Sequence, residues 1–151
     1  MRIGFVGVGV IGGGMARRAL AEGHRVMVRD PNEDVVRPLV AAGATPAATG
    51  RELAAGSDFI VLSLPRAEDV ASALSGKEGV LDGLEAGSIV IDTSSTPPDA
   101  VGAWREAIAA RGARFIDAPL CPSQNRELAR RPVPEAAAAL NAGARAAWSG
   151  N

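Results

Sequence analysis

The chain has 151 residues, is 47% apolar and carries a formal net charge of −1, so it can bury the core of one domain and lacks the basic stripe that nucleic acid demands. Its single cysteine, Cys121, excludes an intrachain disulfide and fits a reducing cytoplasm. No run is long and apolar enough to span a bilayer, and Gly4, Gly7, Gly9, Gly12, Gly13 and Gly14 interrupt the N-terminal stretch that would otherwise read as a signal peptide. Strand and helix alternate from the start. Residues 2–6 read as a buried strand and 10–22 as a helix with Met15, Ala16, Ala19 and Leu20 at helical spacing, closed by Gly23. A second strand at 25–29 is followed by a helix at 31–42, with Pro31 expected in its first turn and Pro38 expected to kink or shorten it.

A short strand at 44–47 leads to a short helix at 49–55, for which Thr49 is the expected cap. The continuous apolar run DFIVLSL at 58–64 has the composition of a parallel strand covered on both faces, and Pro65 ends it. A helix at 67–74, a strand at 88–92, an amphipathic helix at 97–111 with Trp104 and Ile108, and a strand at 114–117 complete the series. The predicted fold class is α/β, a doubly wound parallel sheet of the Rossmann type. After Pro119 the composition turns to Ala, Arg and Pro. The expected domains are therefore a dinucleotide-binding unit at 1–120 and an atypical tail at 121–151, partly helical (135–148) or disordered.

The segment Gly7-Val8-Gly9-Val10-Ile11-Gly12 fits G-x-G-x-x-G between a strand and a helix. In such a turn Gly7 permits the tight bend, Gly9 lets a pyrophosphate approach the backbone, and Gly12 lets the helix pack against the strand. The helix N-terminus then offers unpaired N–H groups and a positive dipole end to phosphate. Asp30 ends the second strand at about the 20-residue spacing expected of an acid that holds the adenosine ribose. Its carboxylate would repel a 2′-phosphate, and Pro31 stands where an arginine would clamp one. Arg29 is free at this level to turn outward. NAD is thus the expected cofactor, with NADP the weaker alternative. A tight turn without a ligand and a methyltransferase glycine loop are the competing readings of the same residues. The absence of tyrosine excludes the Tyr–Lys pair of short-chain dehydrogenases.

The stretch GFVGVGVIGGGMARRAL, with Gly23-His24, Ser63-Leu64-Pro65, Ile91-Asp92-Thr93-Ser94-Ser95 and Asp117-Ala118-Pro119 in that order, resembles the β-hydroxyacid dehydrogenases, the family of 3-hydroxyisobutyrate dehydrogenase and tartronate semialdehyde reductase. The likeness runs to about residue 120. It implies that Gly7, Gly9, Val10, Ile11 and Gly12 cradle the pyrophosphate, Asp30 holds the ribose, and Leu64, Pro65 and Ser95 line the cofactor's path. It also implies that Ser94 lies on the substrate side, with Cys121 where the family's substrate-binding turn begins. Ser94 and Ser95 also suit caps for the following helix. Asp92 and Asp117, which end parallel strands, suit hydrogen bonds to loops.

Beyond Pro119 the pattern departs from the family. Cys121-Pro122-Ser123 replaces its Ser-Gly-Gly turn, and the all-helical second domain with its catalytic lysine has no counterpart. Lys77, the single lysine, matches no catalytic position, and His24, the single histidine, is no evident partner for Cys121. In the family a hydride passes between a 3-hydroxy acid and the nicotinamide while the lysine manages the proton. Three readings stay open: a shortened NAD-dependent 3-hydroxyacid dehydrogenase with no catalytic residue of its own, a non-catalytic NAD-binding module, and an inactive fragment whose tail comes from a shifted reading frame. The expected partners are NAD and a small hydroxy acid, with neither nucleic acid nor membrane. An exposed apolar face where the second domain would dock makes a homo-oligomer a further expectation.

Overall fold

The computed structural model describes residues 1–119. Elements follow in the order β1 (Arg2–Val6), α1 (Val10–Ala21), β2 (Arg25–Arg29), α2 (Glu33–Ala41), β3 (Thr45–Pro46), α3 (Gly50–Ala55), β4 (Phe59–Leu62), α4 (Ala67–Ser75), β5 (Ile89–Asp92), α5 (Pro98–Ala109) and β6 (Arg114–Asp117). The six strands form one all-parallel sheet in the order β3-β2-β1-β4-β5-β6. That is the Rossmann arrangement, and its order reverses between β1 and β4, where such folds bind ligands outside the carboxyl ends of the strands.

The apolar run in β4 explains the layering. Ile60 and Leu62 point to one face, with Leu53 of α3, Val70 of α4 and Trp104 and Ile108 of α5. Val61 points to the other, with Phe5, Val26, Val28, Ala16 of α1 and Leu39 of α2. A strand buried on both sides has no solvent face, so it reads as continuous rather than alternating.

Local chemistry sets the boundaries. Pro31 does not open α2, contrary to the sequence reading. Asn32 is the N-cap, its side chain accepting the Asp34 N–H at 3.0 Å, which satisfies an orphan donor as a proline cannot. Pro38 lies inside α2 on an exposed position, and the helix passes it to end at Ala41. Thr49 caps α3 as expected, accepting the Glu52 N–H at 3.0 Å, while the Glu52 carboxylate takes the Ala48 N–H at 2.7 Å. The strand β3 is only two residues long. The Ala44 N–H turns back to Leu39 of α2, and Pro46 has no N–H to add to the ladder. A 3₁₀ turn at Val80–Asp82, absent from the sequence reading, buries Val80 and Leu81. The predictions for residues 120–151, including the helix at 135–148 and Cys121, lie outside the described residues.

Candidate functional site

The carboxyl ends of β1, β2, β4 and β5 bring the predicted residues among those described to one end of the sheet. At the end of β1 the backbone of Gly7 has φ +82°, and a Cβ there would lie 2.3 Å from the Ser63 carbonyl oxygen. A Cβ on Gly12 would lie 2.0 Å from the Gly7 carbonyl oxygen. Both positions therefore require glycine for conformation or packing. Gly13 belongs with them, because its Cβ would come within 2.7 Å of the Val8 carbonyl oxygen. Gly9 differs. It is exposed, its φ is −61°, and a Cβ there would meet nothing within 4 Å. The protein's own packing leaves that space open, directly over the turn.

The first intrahelical bond of α1 runs from the Gly13 N–H to the Gly9 carbonyl at 2.8 Å. The amides of Val10, Ile11 and Gly12 precede it and have no partner within the helix. Gly9 provides no side-chain cap, and the first turn of α1 holds no acid. By contrast α2, α3 and α4 begin with Glu33 and Asp34, with Glu52, and with Glu68 and Asp69. α1 is thus the one among these four whose own first turn carries no acid, which suits an incoming anion. Val10 and Ile11 are 93% and 54% exposed beside it, two apolar side chains facing solvent on the first turn.

Asp30 follows β2 and is tied to the turn. Its Oδ2 accepts the Val8 N–H at 2.8 Å and its Oδ1 accepts the Asn32 N–H at 2.9 Å. Arg29 turns away from this acid, and its guanidinium donates to the carbonyls of Ala48 and Ala47 beyond β3.

Across the switch point, Leu64 is half-buried and Pro65 exposed. The Leu64 N–H leaves the strand ladder for Ser94 Oγ at 3.0 Å, which is why β4 ends at Leu62 rather than at 64. Ser94 is only 4% exposed, whereas Ser95 is exposed on the same loop. Neither serine caps α5, whose N-cap residue is Pro97. Asp92 is fully buried and holds that loop, accepting the Ser94 N–H at 2.9 Å and the Thr96 hydroxyl at 3.1 Å. Its loop-binding role follows its position at a strand end, but nothing in the sequence signals the burial.

The other candidates stand apart. Lys77 is exposed in the turn after α4, and His24 Nε2 faces Glu22 at 3.8 Å. A cavity of about 340 Å³ lined by Arg105, Ala109, Ala113, Arg114, Phe115 and Ile116 lies beside β6, and no predicted site residue lines it.

The family model described as the NAD binding domain of 6-phosphogluconate dehydrogenase matches residues 2–130. The chain belongs to this family. As a member of this NAD-binding family it is similar to mitochondrial 3-hydroxyisobutyrate dehydrogenase of Drosophila melanogaster, 42% identical over 118 residues, which are 78% of this chain and 36% of the relative. Among solved structures it resembles 3-hydroxyisobutyrate dehydrogenase of Salmonella typhimurium, with a TM-score of 0.71 at 29% identity, covering 76% of this chain and 40% of that one. It also resembles Psf3 in complex with NADP+ and 2-OPP, with a TM-score of 0.70 at 28% identity, covering 75% and 40%. The chain therefore spans about 36–40% of the length of these relatives.

Proposed function

We propose that the chain holds NAD across the β1/β4 switch point and forms the cofactor half of an oxidoreductase acting on the CH–OH group of a 3-hydroxy acid. The observation that carries the proposal is the pairing of an α1 N-terminus that has no acid in its first turn and no side-chain cap with Asp30, a carboxylate bonded to the same glycine turn. The α1 amides would take the pyrophosphate, with Gly9 giving it close access to the backbone and Val10 and Ile11 alongside. Asp30 would accept the adenosine ribose hydroxyls. Leu64, Pro65 and Ser95 would line the path to the nicotinamide, while buried Ser94 sets the position of Leu64 on the way to the substrate. When bound, NAD supplies the hydride acceptor, and the protein's part is to bind and orient it.

The preference for NAD over NADP rests on Asp30, on Pro31 and on Arg29. The acid would repel a 2′-phosphate, Pro31 brings no charge, and Arg29 is engaged by two carbonyls. Psf3 was solved with NADP+, and the reading of NAD for this chain is supported by Asp30, Pro31 and Arg29 alone. The activities of the dehydrogenase relatives belong to longer chains. Lys77, the single lysine, is exposed in the turn after α4 and matches no catalytic position of the family. We therefore propose that the chain binds NAD without turning over hydroxy acid by itself, and that Cys121 and its neighbours stand where substrate contacts begin. Titration with NADH, followed by its fluorescence, is expected to saturate below millimolar concentration, and no saturable change at millimolar NADH refutes the proposal. An NAD-reduction assay with simple 3-hydroxy acids is expected to stay at background, and clear turnover overturns the catalytic part.

A further inference from the structure

The second half of the crevice is organised around one buried carboxylate. Asp92 closes β5 with no exposed surface. A carboxylate in that position is stable only if its oxygens are bonded. Oδ1 takes the Ser94 N–H and Oδ2 takes the Thr96 hydroxyl, so the acid folds residues 93–96 around itself. The neighbouring strands are fastened to the same point. The Ala118 N–H at the end of β6 donates to the Asp92 carbonyl at 2.8 Å. Thr93 donates both its N–H, at 2.9 Å, and its hydroxyl, at 2.8 Å, to the Leu62 carbonyl at the end of β4. Ser94 Oγ then accepts the Leu64 N–H. Ser63, between Leu62 and Leu64, is the residue whose carbonyl lies against Gly7.

We infer that Asp92 is a positioning residue for the half of the cofactor remote from the adenosine: its carboxylate fixes Ser94, Ser94 fixes Leu64, and together they set the walls opposite the glycine turn. In a doubly wound sheet one mononucleotide sits over each half of the strand order. Asp30 and the glycine turn belong to the half built from β1 to β3, and Asp92 belongs to the half built from β4 to β6. The inference rests on the proposal that the crevice binds NAD. It differs in naming a residue that touches no cofactor yet separates the two halves energetically.

The separation is directly measurable with two probes, NADH for the whole site and AMP for the adenosine half. In the full chain, Asp92→Asn keeps the shape but loses the charge that binds both donors. It is expected to weaken NADH by about tenfold or more while changing AMP affinity less than about twofold. Ser94→Ala and Thr96→Val each remove one link and should shift NADH in the same direction by less. They carry the comparison if Asp92→Asn does not fold. Asp30→Ala should weaken both probes. A folded set of variants with wild-type NADH affinity overturns the inference, and so does a parallel loss of NADH and AMP, which marks a merely structural role. A wild-type chain that binds neither probe refutes the underlying NAD proposal instead, and the inference falls with it.

Discussion

The Asp30 carboxylate accepts the Val8 N–H at 2.8 Å, so the acid at the end of β2 and the glycine turn at the end of β1 form one bonded unit. Val8 is buried, and deleting its acceptor leaves an orphan donor that costs about 1–3 kcal/mol. Asp30→Ala should therefore lower both stability and NADH affinity. Asp30→Asn largely separates the two effects, because the amide oxygen can keep the buried Val8 N–H while only the exposed Asn32 N–H loses its acceptor, and the charge that repels a 2′-phosphate is gone. The expected result is a smaller loss of thermal stability than for Asp30→Ala, with the NADPH-to-NADH preference moved about tenfold toward NADPH, equivalent to about 1.4 kcal/mol. Paired fluorescence titrations measure it, and an unchanged preference removes Asp30 from the specificity argument.

The glycines of the turn make opposite predictions for folding and binding. Gly9→Ala adds a methyl group where nothing lies within 4 Å, so chemical denaturation should change by less than about 0.5 kcal/mol. The same methyl group would occupy the space where a pyrophosphate approaches, and NADH affinity should fall by about tenfold or more. Gly12→Ala drives a Cβ to 2.0 Å from the Gly7 carbonyl oxygen, and stability itself should drop by about 1–3 kcal/mol. If Gly9→Ala binds NADH like the wild type, the open space is not a ligand's.

Gly14 has no such reason to be glycine. It sits inside α1, exposed, with nothing within 4 Å of a built Cβ. Gly14→Ala should stabilise the chain by about 1 kcal/mol through helix propensity and leave the NADH dissociation constant unchanged. Denaturation and titration of the same sample test both halves, and a loss of affinity would place Gly14 in the site.

Elements whose cause is local were readable in the sequence, and those whose cause lies across the fold were not. The β4 run and the Thr49 cap depend on neighbouring residues, and both follow from sequence. Asn32 displaces Pro31 at the start of α2 because its side chain reaches two residues onward, which is also a local cause. The end of β4 depends on Ser94, 30 residues away, and no pattern within DFIVLSL announces it. Arg29 likewise turns toward Ala48, 19 residues on, and the burial of Asp92 comes from the sheet although its carboxylate binds Ser94 and Thr96 nearby. For the site, type and spacing picked out Gly7, Gly12 and Asp30, but the bonding of Asp30 to Val8 and the burial of Ser94 needed the sheet.

At the opposite end of the sheet, Asp58 ties β4 to the start of β1. Its two oxygens accept the Arg2 backbone N–H at 3.0 Å and the Arg2 guanidinium at 2.6–3.0 Å. The hydrogen bonds and charge of Arg2 hold the Asp58 carboxyl below its usual range. A carboxyl whose folded value is depressed adds stability that is complete above the unfolded value, about 3.9, and is lost as pH falls through the folded one. The wild type should therefore lose a small increment of stability below about pH 4, small because both side chains are more than 40% exposed and solvent screens the pair. Asp58→Asn cannot titrate and keeps an acceptor, so its thermal midpoint should start slightly lower at neutral pH and fall less steeply on acidification. Equal slopes for the two proteins between pH 5 and pH 3, read by calorimetry at about 0.1 M salt, would show that this pair does not contribute to the acid limb.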